Sequence, residues 1–259
     1  MKKWMLLGTT LLWYLTPTQA QEYKVRLGNS KDRKIVITAD NSEMKIEGYD
    51  GDEVQIRVSN FEAPPERAKG LKPLYNSAVD NSGIGLSVLQ EGNVLNINKA
   101  TRKEGKYTIR VPRKVSLSFE ELNWQGDDLS ISNVAGDLEI KTNTSSIHLD
   151  KVTGPVVAST TAGDITIVYA SAVEQSKPSS ISNISGIVDV TLPGNTKANL
   201  KMKSITGEIY SDLDLSLGQS KGPMKRVGGG HTVEGSINGG GVEISLNTIS
   251  SDIYLRKQK

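Results

Sequence analysis

Cysteine is absent from the chain, which excludes disulfides, thiolate metal sites and a lipid-bearing thiol. Histidine is nearly absent too, with two in 259 residues. His148 sits between Ile147 and Leu149, and His231 follows Gly228, Gly229 and Gly230. Neither has a ligand partner at helical or zinc-finger spacing, so both read as solvated surface residues and no metal is expected. The glycine run itself lacks the Gly-Lys-Ser or Gly-Lys-Thr ending of a phosphate loop and opens no helix, so it reads as a loop between coils. No cofactor motif is present.

Long apolar runs are confined to the start. Met1-Lys2-Lys3 is a basic n-region, Trp4 to Leu15 a short apolar stretch and Thr18-Gln19-Ala20 a small-residue cleavage site. This is the layout of a secretory signal peptide spanning residues 1–20, too short to serve comfortably as a membrane anchor. The reading is an exported protein with no transmembrane segment after cleavage, in the periplasm, at the cell surface or in the medium. Excess charge is lacking as well. Without residues 1–20, which carry Lys2 and Lys3, basic and acidic residues number 29 each, so no nucleic-acid footprint is expected. Trp4 and Trp13 leave with the leader, and Trp124 alone cannot build a carbohydrate site of stacked tryptophans.

Convincing amphipathic helices are missing, and what replaces them is a short repeated phrase. From Leu129 an apolar–polar–apolar triplet recurs every nine residues: Leu129-Ser130-Ile131, Leu138-Glu139-Ile140, Ile147-His148-Leu149, Val156-Val157-Ala158 and Ile165-Thr166-Ile167. Strand side chains alternate faces, so the outer two of each triplet point inward and the middle one outward. Ser130 to Gly136 returns as Ser180 to Gly186, and looser copies run through Ser204 to Tyr210, Val242 to Leu246 and Ser251 to Leu255. Units this short bury their apolar face only by stacking on neighbours. The fold class is therefore all-β, a single elongated β-solenoid of the β-helix or β-roll kind. Sixteen of the 25 glycines lie at or after Gly126, where tight corners are needed. Two nine-residue steps per turn give a flattened coil and three a triangular one; an antiparallel sandwich is the competing architecture.

Before this region, residues 21–125 carry longer alternating strands, among them Tyr23 to Leu27, Lys34 to Ile37, Val54 to Val58 and Tyr107 to Val111. The absence of a linker predicts a core continuous with the repeat region, residues 126–259. Between Asn60 and Ser82, a segment with Pro64, Pro65, Pro73, Leu71, Leu74 and Tyr75 reads as a lid over the solenoid's open end, with one helical turn at Pro65 to Lys69. Pro112 and Pro193 each close a strand.

Met44 to Val54, Tyr107 to Pro112, Gly207 to Asp212 and Asn238 to Ile244, with the strand–Gly-Asp–strand phrases, resemble the bacterial adhesin-like family of domain of unknown function 4097. The resemblance implies a β-solenoid exported to the envelope or cell surface, with some members tied to envelope-stress regulation. The family has no agreed catalytic residues, so none is carried over.

Glu120, Glu121, Asp127 and Asp128 cluster where the long strands give way to repeats, and Asp137 and Asp164 precede strands in like positions. Carboxylates do acid–base work in polysaccharide-cleaving β-helices, but turn aspartates commonly bond their own backbone. A binding surface has better residues: Lys201 and Lys203 flank an inward Met202, and Tyr210 and Tyr254 each follow an inward Ile. Arg256, Lys257 and Lys259 read as guards of an exposed last edge. The functional expectation is a noncatalytic, adhesin-like binding or scaffolding protein that meets an envelope polysaccharide or a protein partner. The alternatives are a stress-response component contacting a membrane regulator and a polysaccharide-active enzyme.

Overall fold

The computed structural model describes residues 21–28, 32–68, 70–71, 74, 78–170, 177–217 and 231–259. The expected signal peptide at residues 1–20, Pro73, Tyr75 and the Gly228 to Gly230 run lie outside the described residues. Among the described residues there are twenty-one strands: β1 Gln21–Arg26, β2 Lys34–Ala39, β3 Ser42–Tyr49, β4 Glu53–Ser59, β5 Leu86–Glu91, β6 Val94–Lys99, β7 Gly105–Pro112, β8 Ser116–Glu121, β9 Leu129–Ser132, β10 Leu138–Lys141, β11 Ile147–Val152, β12 Val156–Thr160, β13 Ile165–Tyr169, β14 Ser179–Asn183, β15 Val188–Leu192, β16 Ala198–Ser204, β17 Ile209–Ser211, β18 Ser216–Leu217, β19 His231–Ile237, β20 Val242–Thr248 and β21 Ile253–Lys257. The turn expected after Pro65 is a 3-10 helix, Glu66–Ala68. Among the described residues no helix is long and apolar enough to cross a membrane.

The triplets pair in steps of eighteen, as Leu129↔Ile147, Leu138↔Val156 and Ile147↔Ile165. One turn is therefore two nine-residue steps, and of the two coil shapes open from the sequence the molecule takes the flattened, two-sided one. Successive strands alternate between a front sheet, ordered β1-β4-β7-β3-β9-β11-β13-β15-β21-β17, and a back sheet, ordered β18-β19-β16-β20-β14-β12-β10-β8-β2-β6-β5. The coil strands run parallel and the caps antiparallel: β1 and β4 at one end of the front sheet, β5 and β18–β19 at the two ends of the back sheet. Inward residues stack in columns between the sheets. One front column is Ile109, Ile46, Ile131, Leu149, Ile167, Val190 and Leu255. Facing it is Ile97, Ile37, Phe119, Ile140, Ala158, Ile181, Leu246 and Met202. All are buried. A two-sided coil also separates Asp137 from Asp164. They stand three nine-residue half-turns apart, before β10 of the back sheet and β13 of the front sheet, so they do not occupy like positions.

The rungs do not follow chain order at either end. β2 and β3 lie between β6–β7 and β8–β9, and β20 and β21 lie between β14–β15 and β16–β17. Each terminal strand pair thus fills a gap one rung in from its end. β21 is in consequence an interior strand, and Arg256 does not guard a free edge: its guanidinium Nε meets both carboxylate oxygens of Asp189 on β15, at 2.9 and 3.0 Å. The long loop does not act as a lid through its leucines. Leu71 and Leu74 face solvent, and the core beneath is closed by buried Ile84 and half-buried Phe61, with the Tyr107 hydroxyl donating to the Ile84 carbonyl. Burial raises the Tyr107 pKa well above the tyrosine range.

Where the chain leaves the back sheet, one inward position is polar on nearly every rung. Glu121, Thr142, Thr160, Asn183, Thr248 and Ser204 form this buried column. Except at Thr248, these side chains serve the corners: the Thr142 hydroxyl donates to the Ser145 carbonyl, Gly163 N–H donates to the Thr160 hydroxyl, and Gly207 N–H donates to Ser204. Lys99 ends an inward row on β6 and donates to the carbonyls of Asp40 and Asn41 at 2.8 and 2.9 Å. Desolvation lowers its pKa, opposed in part by Asp40. At the opposite edges the corners stack so closely that a Cβ on Gly154 would overlap the carbonyl oxygen of Gly136 on the neighbouring coil. Because the obstacle is backbone, nothing flexible can yield. Gly154→Ala is expected to cost about 1–3 kcal/mol, seen as a lowered thermal midpoint; an unchanged midpoint would refute the tight stacking.

Candidate functional site

Outward positions divide the candidate residues between two faces. Lys201 and Lys203 project from β16 of the back sheet, whereas Tyr210 and Tyr254 project from β17 and β21 of the front sheet. The expected combination of these tyrosines with these lysines is therefore not formed, because strands adjacent in sequence alternate sheets. The two pairs belong to separate surfaces.

On the front sheet Tyr210 and Tyr254 are register partners and stack, with ring centroids 5.2 Å apart and planes at 14°. Tyr210 is 50% exposed. Arg256, already held by Asp189, lies over the Tyr254 ring at 5.2 Å, and the Tyr254 hydroxyl donates to Asp252 at 3.2 Å. The cation that accompanies the aromatics is thus Arg256, which sequence reading assigned to edge protection. Hydrogen bonding to Asp252, with lesser desolvation, raises the Tyr254 pKa from 10.0. A phenol raised in the folded state contributes stability below the unfolded pKa and loses it as pH climbs through the folded one. Asp252→Asn is accordingly expected to bring the Tyr254 ionisation down toward the ordinary value, read from phenolate absorbance against Tyr254→Phe. No movement would show that Asp252 does not hold the phenol.

On the back sheet Lys141, Ser159, Ser182, Asn247 and Lys203 are successive register partners on β10, β12, β14, β20 and β16. They form one outward row across five strands, about 19 Å at the usual strand spacing. Beside this row, at the corner, Ile184, Ile249 and Ile205 are 48%, 45% and 39% exposed on adjacent rungs. Row and corner together line an open groove of about 420 Å³. Lys201 lies one row away and is 3.7 Å from Glu234. The sequence reading singled out Lys203 but missed the rest of this row, because neighbouring members are 18 to 65 residues apart and meet only through the rung order. A second hollow, of about 790 Å³, lies against the long loop and is lined in part by Phe61, Pro65, Leu71 and Leu74.

The acidic residues do not converge. Glu120 faces out and pairs with Lys141 at 3.2 Å. Glu121 faces in and accepts the N–H groups of Asn143, Thr144 and Ser145. The Asp127 carboxylate accepts the Asp128 N–H, Asp137 pairs with Lys177 at 2.6 Å, and Asp164 accepts the Ile187 N–H. His148 is exposed on β11 and His231 half-buried at the start of β19. Among the described residues no group of three or more His, Cys, Asp or Glu could hold a metal ion.

The fold and these surfaces define a two-sided, nearly all-β solenoid with long outer faces. The chain belongs to the Toastrack family DUF4097, whose model matches residues 109–256. No curated protein matches it. Among solved structures it is similar to a "putative cell adhesion protein" from Clostridium sporogenes ATCC 15579, at 12% identity and TM-score 0.46, covering 93% of this chain and 100% of that one. It is also similar to a "putative adhesin" from Bacteroides fragilis NCTC 9343, at 12% identity and TM-score 0.35 over 93% and 98% of the two chains. A "putative lipid binding protein" from Parabacteroides distasonis ATCC 8503 aligns at 10% identity and TM-score 0.30 over 94% and 98%.

Proposed function

We propose that the chain is an exported, noncatalytic, adhesin-like binding or scaffolding protein of the bacterial cell envelope, freed of residues 1–20 by cleavage after Ala20. The observation that carries this reading is the solvent-facing Tyr210–Tyr254 stack with Arg256 on a continuous ten-stranded face. Flat, half-exposed aromatics with a fixed cation suit docking of an extended ligand, and a rigid coil presents them without an ordering cost. The carboxylates support it from the other side, since Glu120, Glu121, Asp137 and Asp164 each have a structural partner.

The test is retention of purified residues 21–259 on isolated bacterial envelopes, with Tyr210→Ala/Tyr254→Ala as comparison. Saturable retention that weakens in the double variant is expected. Retention that survives protease treatment of the envelopes identifies a glycan or lipid ligand, and retention lost identifies a protein. No retention of the unmodified chain would sink the reading.

A further inference from the structure

We infer that the back-sheet groove between Lys141 and Lys203 is a binding site for an acidic polysaccharide chain lying across the strands. This deepens the binding role proposed above and rests on it. The groove contains two lysines and no acidic residue. Among the described residues Lys203 has no ion-pair partner, and Lys141 is paired with Glu120, which lies outside the groove. A chain with carboxylate groups complements both ends. Between the lysines, Ser159, Ser182 and Asn247 offer one hydroxyl or amide per rung, repeating every ~4.8 Å. That repeat is close to the advance of one sugar ring along an extended glycan, so successive rings meet equivalent polar groups.

One further feature points to a ligand here. Ile184, Ile249 and Ile205 form an exposed apolar strip over three adjacent rungs, suited to the C–H faces of sugar rings or to acetyl groups.

Competing occupants fit less well. A peptide gains affinity on a sheet by adding to a free edge, but all five strands of the groove are paired on both sides and offer no edge. A nucleic acid requires a denser basic stripe than two lysines. An acyl chain favours an enclosed apolar cavity, whereas this groove is open and has a lysine at each end.

The test measures binding of residues 21–259 to polygalacturonate, with dextran as the neutral glycan and phosphatidylglycerol vesicles as the anionic lipid surface. Lys203→Glu and Ile249→Asp alter the groove; Lys45→Glu makes the same charge change on the front sheet. Thermal midpoints confirm that each variant folds. The expected result is binding of polygalacturonate and not dextran, weakened about tenfold or more by either groove variant and within about twofold of the unmodified chain in Lys45→Glu. Three results would overturn the site: equal binding by Lys203→Glu and Ile249→Asp, no binding of polygalacturonate, or vesicle binding with the same variant sensitivity. If envelopes still retain the unmodified chain in those cases, the adhesin-like role stands and only the groove assignment falls.

Discussion

A chain ending at Gly241 is expected to lose the order of β16 to β19 as well as the strands removed, while β8 to β13 stay folded. In a coil that follows chain order, removing the last eighteen residues would trim one end rung. Here β20 and β21 are interior. β20 joins β14 to β16 and β21 joins β15 to β17, both in parallel register. Without them β16 keeps only the antiparallel β19, and a small isolated sheet of this kind is marginal in water. The loss also strips Ile244, Leu246, Ile253 and Leu255 from the core, all of them buried. Each is worth about 1.5–3 kcal/mol, and together they rival the whole net stability of an ordinary domain. Solenoids nevertheless share stability between neighbours, so the damage should stop within a rung or two of the cut. Hydrogen exchange followed strand by strand checks this. Protection retained in β16 and β19 would mean that the C-terminal strands do not bridge the coil to its cap.

This intercalation marks the limit of what the sequence could disclose. Triplets such as Ile147-His148-Leu149 and Ile165-Thr166-Ile167 show their inward and outward residues through alternation alone: the four inward residues are buried, His148 is exposed and Thr166 is half-buried. Local chemistry is enough there, because each strand must bury one face whatever its neighbours are. Rung order is different. Nothing in Val242 to Leu246 says that this strand enters between Ile181 and Met202 rather than after them, since any apolar alternating strand stacks equally well on either. The misassigned role of Arg256 and the unseen Lys141–Lys203 row both follow from that ambiguity. Asp137 and Asp164 were misplaced for a related reason: a nine-residue period does not reveal how many steps close a turn. The family resemblance was legible in turn-and-strand phrases, and those phrases specify architecture while leaving the groove unmarked.

The buried polar column was hidden by its chemistry, and Glu121 is the sharpest instance. An acidic pair at Glu120 and Glu121 looks like a surface feature in sequence, yet alternation turns one of the two inward. Glu121 is buried, and its Oε2 accepts Asn143 N–H at 2.6 Å, Thr144 N–H at 3.2 Å and Ser145 N–H at 3.4 Å. A corner that turns this tightly leaves consecutive N–H groups pointing the same way, and one carboxylate oxygen collects them. The fit also requires Gly126, where a Cβ would overlap the carboxylate. Replacing Glu121 by Ala strands these donors away from water, at an expected cost on the order of 3 kcal/mol. Glu121→Gln keeps the shape and one acceptor oxygen while losing the charge, so it should fall between Ala and the unmodified chain. Denaturant unfolding of the two variants measures both numbers. Equal stability in Glu121→Ala would show that the corner finds other partners; equal loss in Ala and Gln would show that charge, rather than the acceptor geometry, holds the turn.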